Sequence, residues 1–147
     1  MISNIPIQKA MALNKKSTEK DLTAIPKLSV LLTFPALNPE EGKDVHAVAL
    51  CDTGCLYNLI SKKLVDTLNI KEFSASQLTL QAANGTPLPN LGSVELFFQL
   101  GQLSFTETFL ICDTTTILIL GLEFFQKHKA YLDCSGGKVI FRMEDKI

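Results

Sequence analysis

One stretch constrains this chain more than any other, namely residues 48–61, with the sequence VALCDTGCLYNLIS. An apolar run leads into the triplet Asp52-Thr53-Gly54, and a second apolar run, Leu56 to Ile60, follows almost at once. An ionised carboxylate between two buried strands is costly unless it has a partner, because burial removes its hydration. The stretch therefore predicts a strand-turn-strand unit that presents one acid, and the partner of Asp52 becomes the central question.

The triplet alone does not decide between a turn and a functional site. Asp, Thr and Gly are common in turns, because the two polar side chains accept backbone hydrogen bonds and glycine tolerates positive φ. The context favours a site, since carboxylates in turns normally face water, whereas Asp52 is bracketed by apolar residues on both sides. We therefore expect Asp52 to lie in a largely buried position.

The composition predicts a single globular domain. The chain has 147 residues, of which 46% are hydrophobic and 20% charged, which is enough for one core. With 14 basic and 15 acidic residues the net charge is -1, so we expect neither nucleic acid nor an anionic membrane as a partner. The apolar runs are far shorter than the roughly 18 residues that span a bilayer, and no signal peptide is recognisable, so we expect a cytoplasmic protein.

The chain has four cysteines, Cys51, Cys55, Cys112 and Cys134. The first, third and fourth lie in or at the end of apolar, strand-like runs, where a free thiol behaves as a small hydrophobe. Together with His46 and His128 they match no common zinc spacing. We therefore expect reduced, buried thiols and no metal site.

The first 26 residues differ from the rest because they are polar and contain four lysines. We expect residues 1–26 to form a flexible leader or linker, 27–143 the folded domain and 144–147 a tail. Two alternatives for the leader stay open at this point, namely a strand donated to a partner subunit and a processing segment.

Within the domain, short apolar runs alternate with turns. The predicted strands are 28–34, 45–51, 57–60, 77–83, 92–100, 103–112, 115–120, 131–134 and 138–141. Short helices are expected after Ser61, which can cap the first, and after Gly121. Asn84-Gly85 is a strong hairpin signal, and the nearby prolines indicate that this hairpin projects from the sheet. The pattern predicts a mainly β fold, a small closed β-barrel with one or two short helices.

Two further features are expected to be structural. The phenylalanines Phe97, Phe98, Phe105 and Phe109 favour core packing over a binding stripe, because aromatic residues fill the interiors of small barrels. His128, at the end of the second helix, is expected to interact with the helix dipole.

At this point a family resemblance becomes specific. The segment ALCDTGCLYNLIS resembles the active-site segment of retropepsin-like aspartic proteases, the family that includes retroviral, LTR-retrotransposon and pararetrovirus proteases. AANGTPL at 82–88, followed by Gly92, resembles the flap hairpin of gypsy-type retrotransposons and plant pararetroviruses. ILILGLEFF at 117–125, followed by the hairpin at 131–141, resembles the family's apolar-apolar-Gly strand, short helix and closing hairpin. The resemblance spans roughly residues 28–141.

The resemblance implies an aspartic endopeptidase without a cofactor, in which two carboxylates share one proton and activate a water molecule. Asp113-Thr114-Thr115 lacks the glycine, and Asp133 has the wrong spacing to Gly136, so neither supplies a second triplet. A homodimer would bring the second Asp52 by two-fold symmetry. Thr53 would then hydrogen-bond across the axis, and Gly54 would let the backbone approach the acid and the substrate.

The resemblance also implies a binding site for an extended polypeptide. Its substrate-binding positions correspond here to Cys55, Leu56, Tyr57, Ala83, Asn84, Gly85, Thr86 and Leu118. Leu120 and Gly121 would support the loop that carries Asp52. The chain departs from the family where Cys55 replaces Ala or Ser, and where Leu56 and Tyr57 replace the acidic residues of many retroviral members.

The biological role implied by this resemblance is processing of a retroelement polyprotein, with the chain's own polyprotein as substrate, in the cytoplasm or within a virus-like particle. A host or domesticated protease, resembling the ubiquitin-shuttle proteins that carry a retropepsin-like domain, is one alternative. A catalytically silent dimerisation module with the same barrel is another.

Overall fold

The computed structural model describes residues 2–6, 8–10, 27–36, 40, 42–76, 78, 80–81, 87–113 and 118–142. The strands in these ranges are β1 (Ile2–Pro6), β2 (Gln8–Ala10), β3 (Lys27–Phe34), β4 (Val45–Asp52), β5 (Leu59–Ser61), β6 (Leu80–Gln81), β7 (Pro87–Leu88), β8 (Asn90–Leu100), β9 (Leu103–Cys112), β10 (Leu118–Gly121), β11 (Ala130–Asp133) and β12 (Lys138–Arg142). The helices are α1 (Lys62–Thr67) and α2 (Leu122–Lys127). Neither helix has the length and apolar character that a membrane-spanning helix needs.

Six strands close into a barrel in the order β3, β4, β10, β5, β9, β8. The ring closes where β8 pairs with β3, at Gln99 and Thr33. Strand β10 lies between β4 and β5, parallel to the first and antiparallel to the second. The small closed β-barrel with two short helices that the sequence predicts is therefore confirmed.

The barrel strands follow the side-chain alternation expected of sheets with one buried face. In β8, Val94, Leu96, Phe98 and Leu100 are buried, while Glu95, Phe97 and Gln99 between them are exposed. Successive side chains of a strand point to opposite faces, so this period of two directs one set into the core. All four residues of β10 are buried, as befits a strand with neighbours on both sides.

Phe98 lies at the centre of an aromatic cluster inside the barrel. Its side chain is fully buried, and its ring centroid lies 5.6 Å from that of Phe105 and 5.8 Å from that of Phe109. Phe34 and Phe124 complete the contacts at 6.1 and 6.2 Å. Phe97, also expected in the core, is 50% exposed. That expectation was wrong because Phe97 precedes Phe98 in the strand and therefore points to the opposite face.

The helix α1 begins at the predicted cap. The amide of Leu64 donates to the Ser61 hydroxyl at 3.1 Å, and Leu64 and Val65 face the core. The cap satisfies an amide that has no intrahelical partner, which is why Ser61 marks the helix start.

A buried carboxylate holds the C-terminal end of α2 against β9. Glu107 has oxygens 2.8 Å from Lys127 Nζ and 2.9 Å from His128 Nε2, and its side chain is only 4% exposed. The His128 ring packs on Phe105 and Phe124, with centroid distances of 4.7 and 4.8 Å. His128 thus has a specific acidic partner, which the helix-dipole interpretation did not foresee.

The N-terminal segment differs from the sequence expectation. Ile2–Pro6 pairs antiparallel with β12, and Gln8–Ala10 pairs antiparallel with β3. A leader separate from the folded unit therefore does not describe these two strands. Strand formation here depends on the edges of β3 and β12, which local composition cannot reveal. The tail expected at 144–147 lies outside the described residues.

The aromatic core makes a paired stability prediction. We expect Phe98→Ala to lower the free energy of unfolding by about 3–5 kcal/mol, because it opens a cavity among four rings. We expect Phe97→Ala to cost less than about 1 kcal/mol, because half of that side chain already contacts water. Urea denaturation of both variants at one protein concentration measures the difference, and equal losses would contradict the assigned faces.

Candidate active site

Asp52 is the last residue of β4 and lies beside the end of a parallel neighbour. In the β4–β10 pair, Leu50 is opposite Ile119, Cys51 opposite Leu120 and Asp52 opposite Gly121. Leu120 is fully buried beneath this edge. The parallel pairing therefore brings the acid and the distant Gly121 together, as the sequence motifs implied.

The turn after Asp52 is stabilised by the acid itself. The amide of Gly54 donates to Asp52 Oδ1 at 2.9 Å, and the amide of Cys55 donates to the Asp52 carbonyl at 3.1 Å. An aspartate that accepts from the amide two residues on fixes a tight turn. One carboxylate oxygen of Asp52 therefore stabilises the turn that carries this side chain.

In the single chain, Asp52, Thr53 and Gly54 are all exposed. The expectation that Asp52 is largely buried was therefore wrong for one chain by itself. The neighbours that suggested burial direct their side chains away from it, with Cys51 against the main core and Leu50 against a second cluster. Apolar residues before and after a turn therefore do not predict whether the side chain in the turn is buried or exposed.

Residues 52–58, the Asp52 loop, cap the N-terminus of α2. Three successive amides donate to the loop, from Gly121 to Asn58 Oδ1 (2.9 Å), from Leu122 to the Cys55 carbonyl (2.7 Å) and from Glu123 to the Leu56 carbonyl (3.0 Å). The first amides of a helix lack intrahelical partners, and here the N-cap Gly121 supplies no side-chain bond. The helix and the loop therefore satisfy each other.

Gly121 is required by the closeness of this contact. A Cβ at this position would lie 2.3 Å from the Tyr57 carbonyl oxygen and 2.7 Å from the Cys55 carbonyl oxygen. Both distances are far inside van der Waals contact, and both neighbours are backbone atoms that cannot rotate away. Any larger residue would force the Asp52 loop from its place.

Asn58 is a site residue that sequence reasoning did not identify. It is 7% exposed, and its Nδ2 donates to the Thr108 carbonyl at 3.2 Å while its Oδ1 accepts from Gly121. Its own carbonyl accepts from Leu110 N at 2.9 Å. The available signal was an amide within an apolar run, since a buried polar side chain must find partners.

The other predicted binding residues are divided between surface and core. Leu56 is 46% exposed, and Cys55 and Tyr57 are half-buried in the Asp52 loop. Leu118 is 1% exposed inside the barrel, so its position does not support the expected substrate contact. Leu118 packs in the main core cluster, whereas Ile119, the next residue of β10, faces the second cluster.

The predicted flap residues Ala83, Asn84, Gly85 and Thr86 lie outside the described residues. The strands on either side of them, β6 and β7, pair antiparallel with Leu80 opposite Leu88. Of the strand expected at 77–83, only β6 is observed as strand in the described part, and it forms a two-stranded sheet apart from the barrel sheet.

The four thiols are free, and they differ in environment. Burial raises the pKa of Cys51 to about 12, and burial, with Cys55 and Asp113 nearby, raises the pKa of Cys112 to about 11. Burial, with the charge of Asp52, also raises the pKa of Cys55, whose Sγ donates to the Tyr57 carbonyl at 3.2 Å. Cys134 is exposed, contrary to expectation, because it lies in the turn after β11.

Among the described residues, no group of three or more His, Cys, Asp or Glu side chains is arranged to bind a metal ion. The chemistry available at the Asp52 loop is that of a carboxylate in an open turn on a rigid support, suited to proton transfer with a water molecule or a second acid.

Comparison with known proteins gives a consistent result. A family model described as aspartyl protease matches residues 41–124, which include the Asp52 loop and Gly121. The structure is similar to the retroviral protease-like domain of Ddi1 from Leishmania major, with 15% identity and a TM-score of 0.58 over 84% of this chain and 99% of that chain.

Two further solved structures share the fold. EIAV protease in complex with the inhibitor HBY-793 has 15% identity and a TM-score of 0.57, covering 76% of this chain and 95% of that chain. A retropepsin-like aspartic protease from Rickettsia conorii has 13% identity and a TM-score of 0.57, covering 96% and 91%. At such low identities the similarity establishes the barrel fold alone.

The thiol environments predict an order of reactivity. Only thiolates react rapidly with disulfide reagents, and a raised pKa lowers the thiolate fraction at any pH below it. At pH 8 we expect one fast-reacting thiol, Cys134, and slow reaction of Cys51 and Cys112. Cys134→Ser should remove the fast phase of a 5,5'-dithiobis(2-nitrobenzoate) reaction, whereas Cys112→Ser should leave it intact. A fast phase that survives Cys134→Ser would contradict this order.

Proposed function

The chain belongs to the aspartyl protease family, and we propose that it is a retropepsin-like aspartic endopeptidase that acts as a homodimer. This membership confirms the resemblance that the sequence motifs carry. The observation that carries the proposal is the Asp52 loop, an exposed acid turn fixed by its own hydrogen bonds and held by α2. An acid that is exposed and held in a fixed turn is suited to face a second carboxylate.

A second copy of the chain is the proposed source of the second carboxylate. The full sequence has a single Asp-Thr-Gly triplet. Asp133 is followed by glycine only at the third position, Gly136, so its turn does not repeat the Asp-Thr-Gly arrangement. Exposure of Asp52, Thr53 and Gly54 in one chain suits a loop that faces its symmetry copy across a two-fold axis.

In the proposed mechanism the two Asp52 carboxylates share one proton. The ionised carboxylate takes a proton from a water molecule as the water attacks the peptide carbonyl carbon, and the other carboxylic acid donates to the carbonyl oxygen. As the tetrahedral intermediate collapses, the carboxylic acid formed in the first step donates its proton to the leaving amine, the other carboxylate takes a proton from a hydroxyl of the intermediate, and the C–N bond breaks, which restores the shared proton. Thr53 would brace the paired loops, and Gly54 would leave room for the substrate backbone.

The proposed substrate is a polypeptide in extended conformation. Cys55, Leu56 and Tyr57 would contact it from the Asp52 loop, and the segment from Ala83 to Thr86 would close over it as a flap. Closure would exclude water and offer main-chain hydrogen bonds, so backbone pairing gives affinity and apolar pockets give selectivity. The half-exposed Leu56 supports an apolar preference beside the acid.

We propose that the physiological substrate is the polyprotein of a retroelement, cut in the cytoplasm or in a virus-like particle. The resemblance of the segments at 49–61 and 82–88 to retrotransposon and pararetrovirus proteases motivates this proposal. A host protease with a narrow substrate range is a second candidate, as the resemblance to ubiquitin-shuttle proteins with a retropepsin-like domain implies. Cleavage assays on polyprotein junction peptides and on host proteins would separate the two candidates, and a catalytically silent module would cleave neither.

Replacing the acid should abolish activity without unfolding the protein. We expect Asp52→Asn to lower kcat/KM roughly a thousand-fold or more on a fluorogenic peptide from an apolar-rich library, because the amide can neither accept nor share the proton. Adding excess Asp52→Asn chains to the wild type should lower activity per wild-type chain, because mixed dimers hold one carboxylate.

The matched control is Asp66→Asn, which removes an exposed carboxylate of α1 that pairs with Lys62. Such a surface pair contributes little, so activity and fold should be unchanged. Circular dichroism and sedimentation velocity check fold and dimerisation. Peptide cleavage that persists in a clean Asp52→Asn preparation, or no effect of mixing, would refute the shared site.

The pH dependence of kcat/KM should be bell-shaped, because activity needs one of the two carboxylates ionised and the other protonated. Activity should fall at low pH as both become protonated and at higher pH as both become ionised. Initial rates in buffers of constant ionic strength measure the profile, and a statine-type inhibitor should bind most tightly near its maximum. A flat profile from acid to neutral pH would argue against proton sharing.

A further inference from the structure

We infer that Asn58 is a positioning residue for the proposed hydrolysis, because its side-chain amide fixes the Asp52 loop against both β9 and the start of α2. The inference rests on the proposed function, since positioning has meaning only for a loop that carries a reacting acid. Asn58 lies six residues after Asp52 and would not touch the reacting atoms itself.

The first part of the argument concerns Gly121. Three amides of the α2 N-terminus bind the Asp52 loop, and two of their acceptors are backbone carbonyls. The third acceptor is a side-chain atom, Asn58 Oδ1, which accepts from the amide of Gly121. Gly121 in turn is the residue paired with Asp52 between β10 and β4. Asn58 thus reaches the acid through one intervening residue.

The second part concerns β9. Asn58 Nδ2 donates to the Thr108 carbonyl, and the Asn58 carbonyl accepts from Leu110 N. The amide orientation follows from these partners, because the Gly121 amide needs an acceptor and the Thr108 carbonyl needs a donor. One buried side chain therefore ties β9 to β10 across the base of the loop.

Few residues meet both requirements. Aspartate retains an acceptor for Gly121 but, when ionised, cannot donate to Thr108, and alanine retains neither group. Glutamine carries the same groups on a longer chain into a site where Asn58 is only 7% exposed. The hydrogen bonds between barrel strands and the two backbone bonds to α2 do not involve the Asn58 side chain. We therefore expect its loss to make the Asp52 loop more mobile while the barrel stays folded.

The test compares Asn58→Ala and Asn58→Asp with the wild type. We expect Asn58→Ala to lower kcat by roughly 10- to 100-fold, with KM changed less, because misplacement of a reacting group affects the chemical step. Asn58→Asp should lower kcat less, because it retains the Gly121 contact. In hydrogen exchange, the amides of Gly121, Leu122 and Glu123 should exchange roughly tenfold faster in Asn58→Ala, with β3 and β8 unchanged.

Val94→Ala is the control for general destabilisation, because Val94 is a buried residue of β8 outside the Asp52 loop. It should lower global stability while leaving kcat per folded chain and exchange at 121–123 as in the wild type. If Asn58→Ala does not fold, Asn58→Asp carries the test. It loses the Thr108 contact and keeps the Gly121 contact, so exchange at 121–123 should be faster than in the wild type by less than the factor of roughly ten expected for Asn58→Ala, and wild-type exchange and kcat would overturn the inference.

The inference would be overturned if Asn58→Ala had the kcat and the exchange at 121–123 of the wild type. It would also be overturned if Val94→Ala changed both quantities as much as Asn58→Ala does. A wild-type protein that cleaves no peptide would refute the proposed function. In that case faster exchange at 121–123 in the Asn58 variants would still support the positioning of the loop by Asn58, so the two failures are distinguishable.

Discussion

The contact between Gly121 and the Asp52 loop is the interaction on which the rest of the site depends. It exists because β10 inserts between β4 and β5, two strands that are close in sequence but separated in the sheet by this later segment. The insertion places the start of α2 under the loop, where successive amides find acceptors. It also explains why no side chain fits at Gly121, since backbone atoms of the loop occupy that space. Acid, helix and barrel therefore form one continuous unit.

Much of this fold could be predicted from the sequence, because its strongest signals are local. Alternation in β8 and β9, the Ser61 cap and the glycines of the turns each state a backbone preference over a few residues. The family resemblance adds long-range information, since it relates the Asp52 triplet to the apolar run that ends at Gly121. That relation is correct, and the two segments are paired neighbours.

The parts that could not be predicted concern side-chain direction and distant partners. Asp52 was expected to be buried because of its neighbours, but their side chains face other clusters and the acid faces solvent in one chain. Composition predicts Phe97 in the core, but Phe97 alternates with the buried residues Leu96 and Phe98 in β8, so its side chain points outward. The pairing of Ile2–Pro6 with β12 depends on a sheet edge formed more than a hundred residues later. Asn58 gave only a weak signal, because its partners lie on β9 and at Gly121.

Glu107 gives the helix α2 a significance beyond packing. The carboxylate holds Lys127 and His128 at one end, and the Asp52 loop holds the other end. With six residues and a rise of about 1.5 Å each, α2 is only about 9 Å long. A helix this short cannot bend without breaking its hydrogen bonds to the Asp52 loop or to Glu107. The helix therefore acts as a rigid spacer between the phenylalanine core and the acid. Sequence changes at Phe124 or at two of the rings it contacts, Phe98 and Phe105, are therefore expected to affect the position of the acid, which couples the evolution of these ring contacts to that of the site.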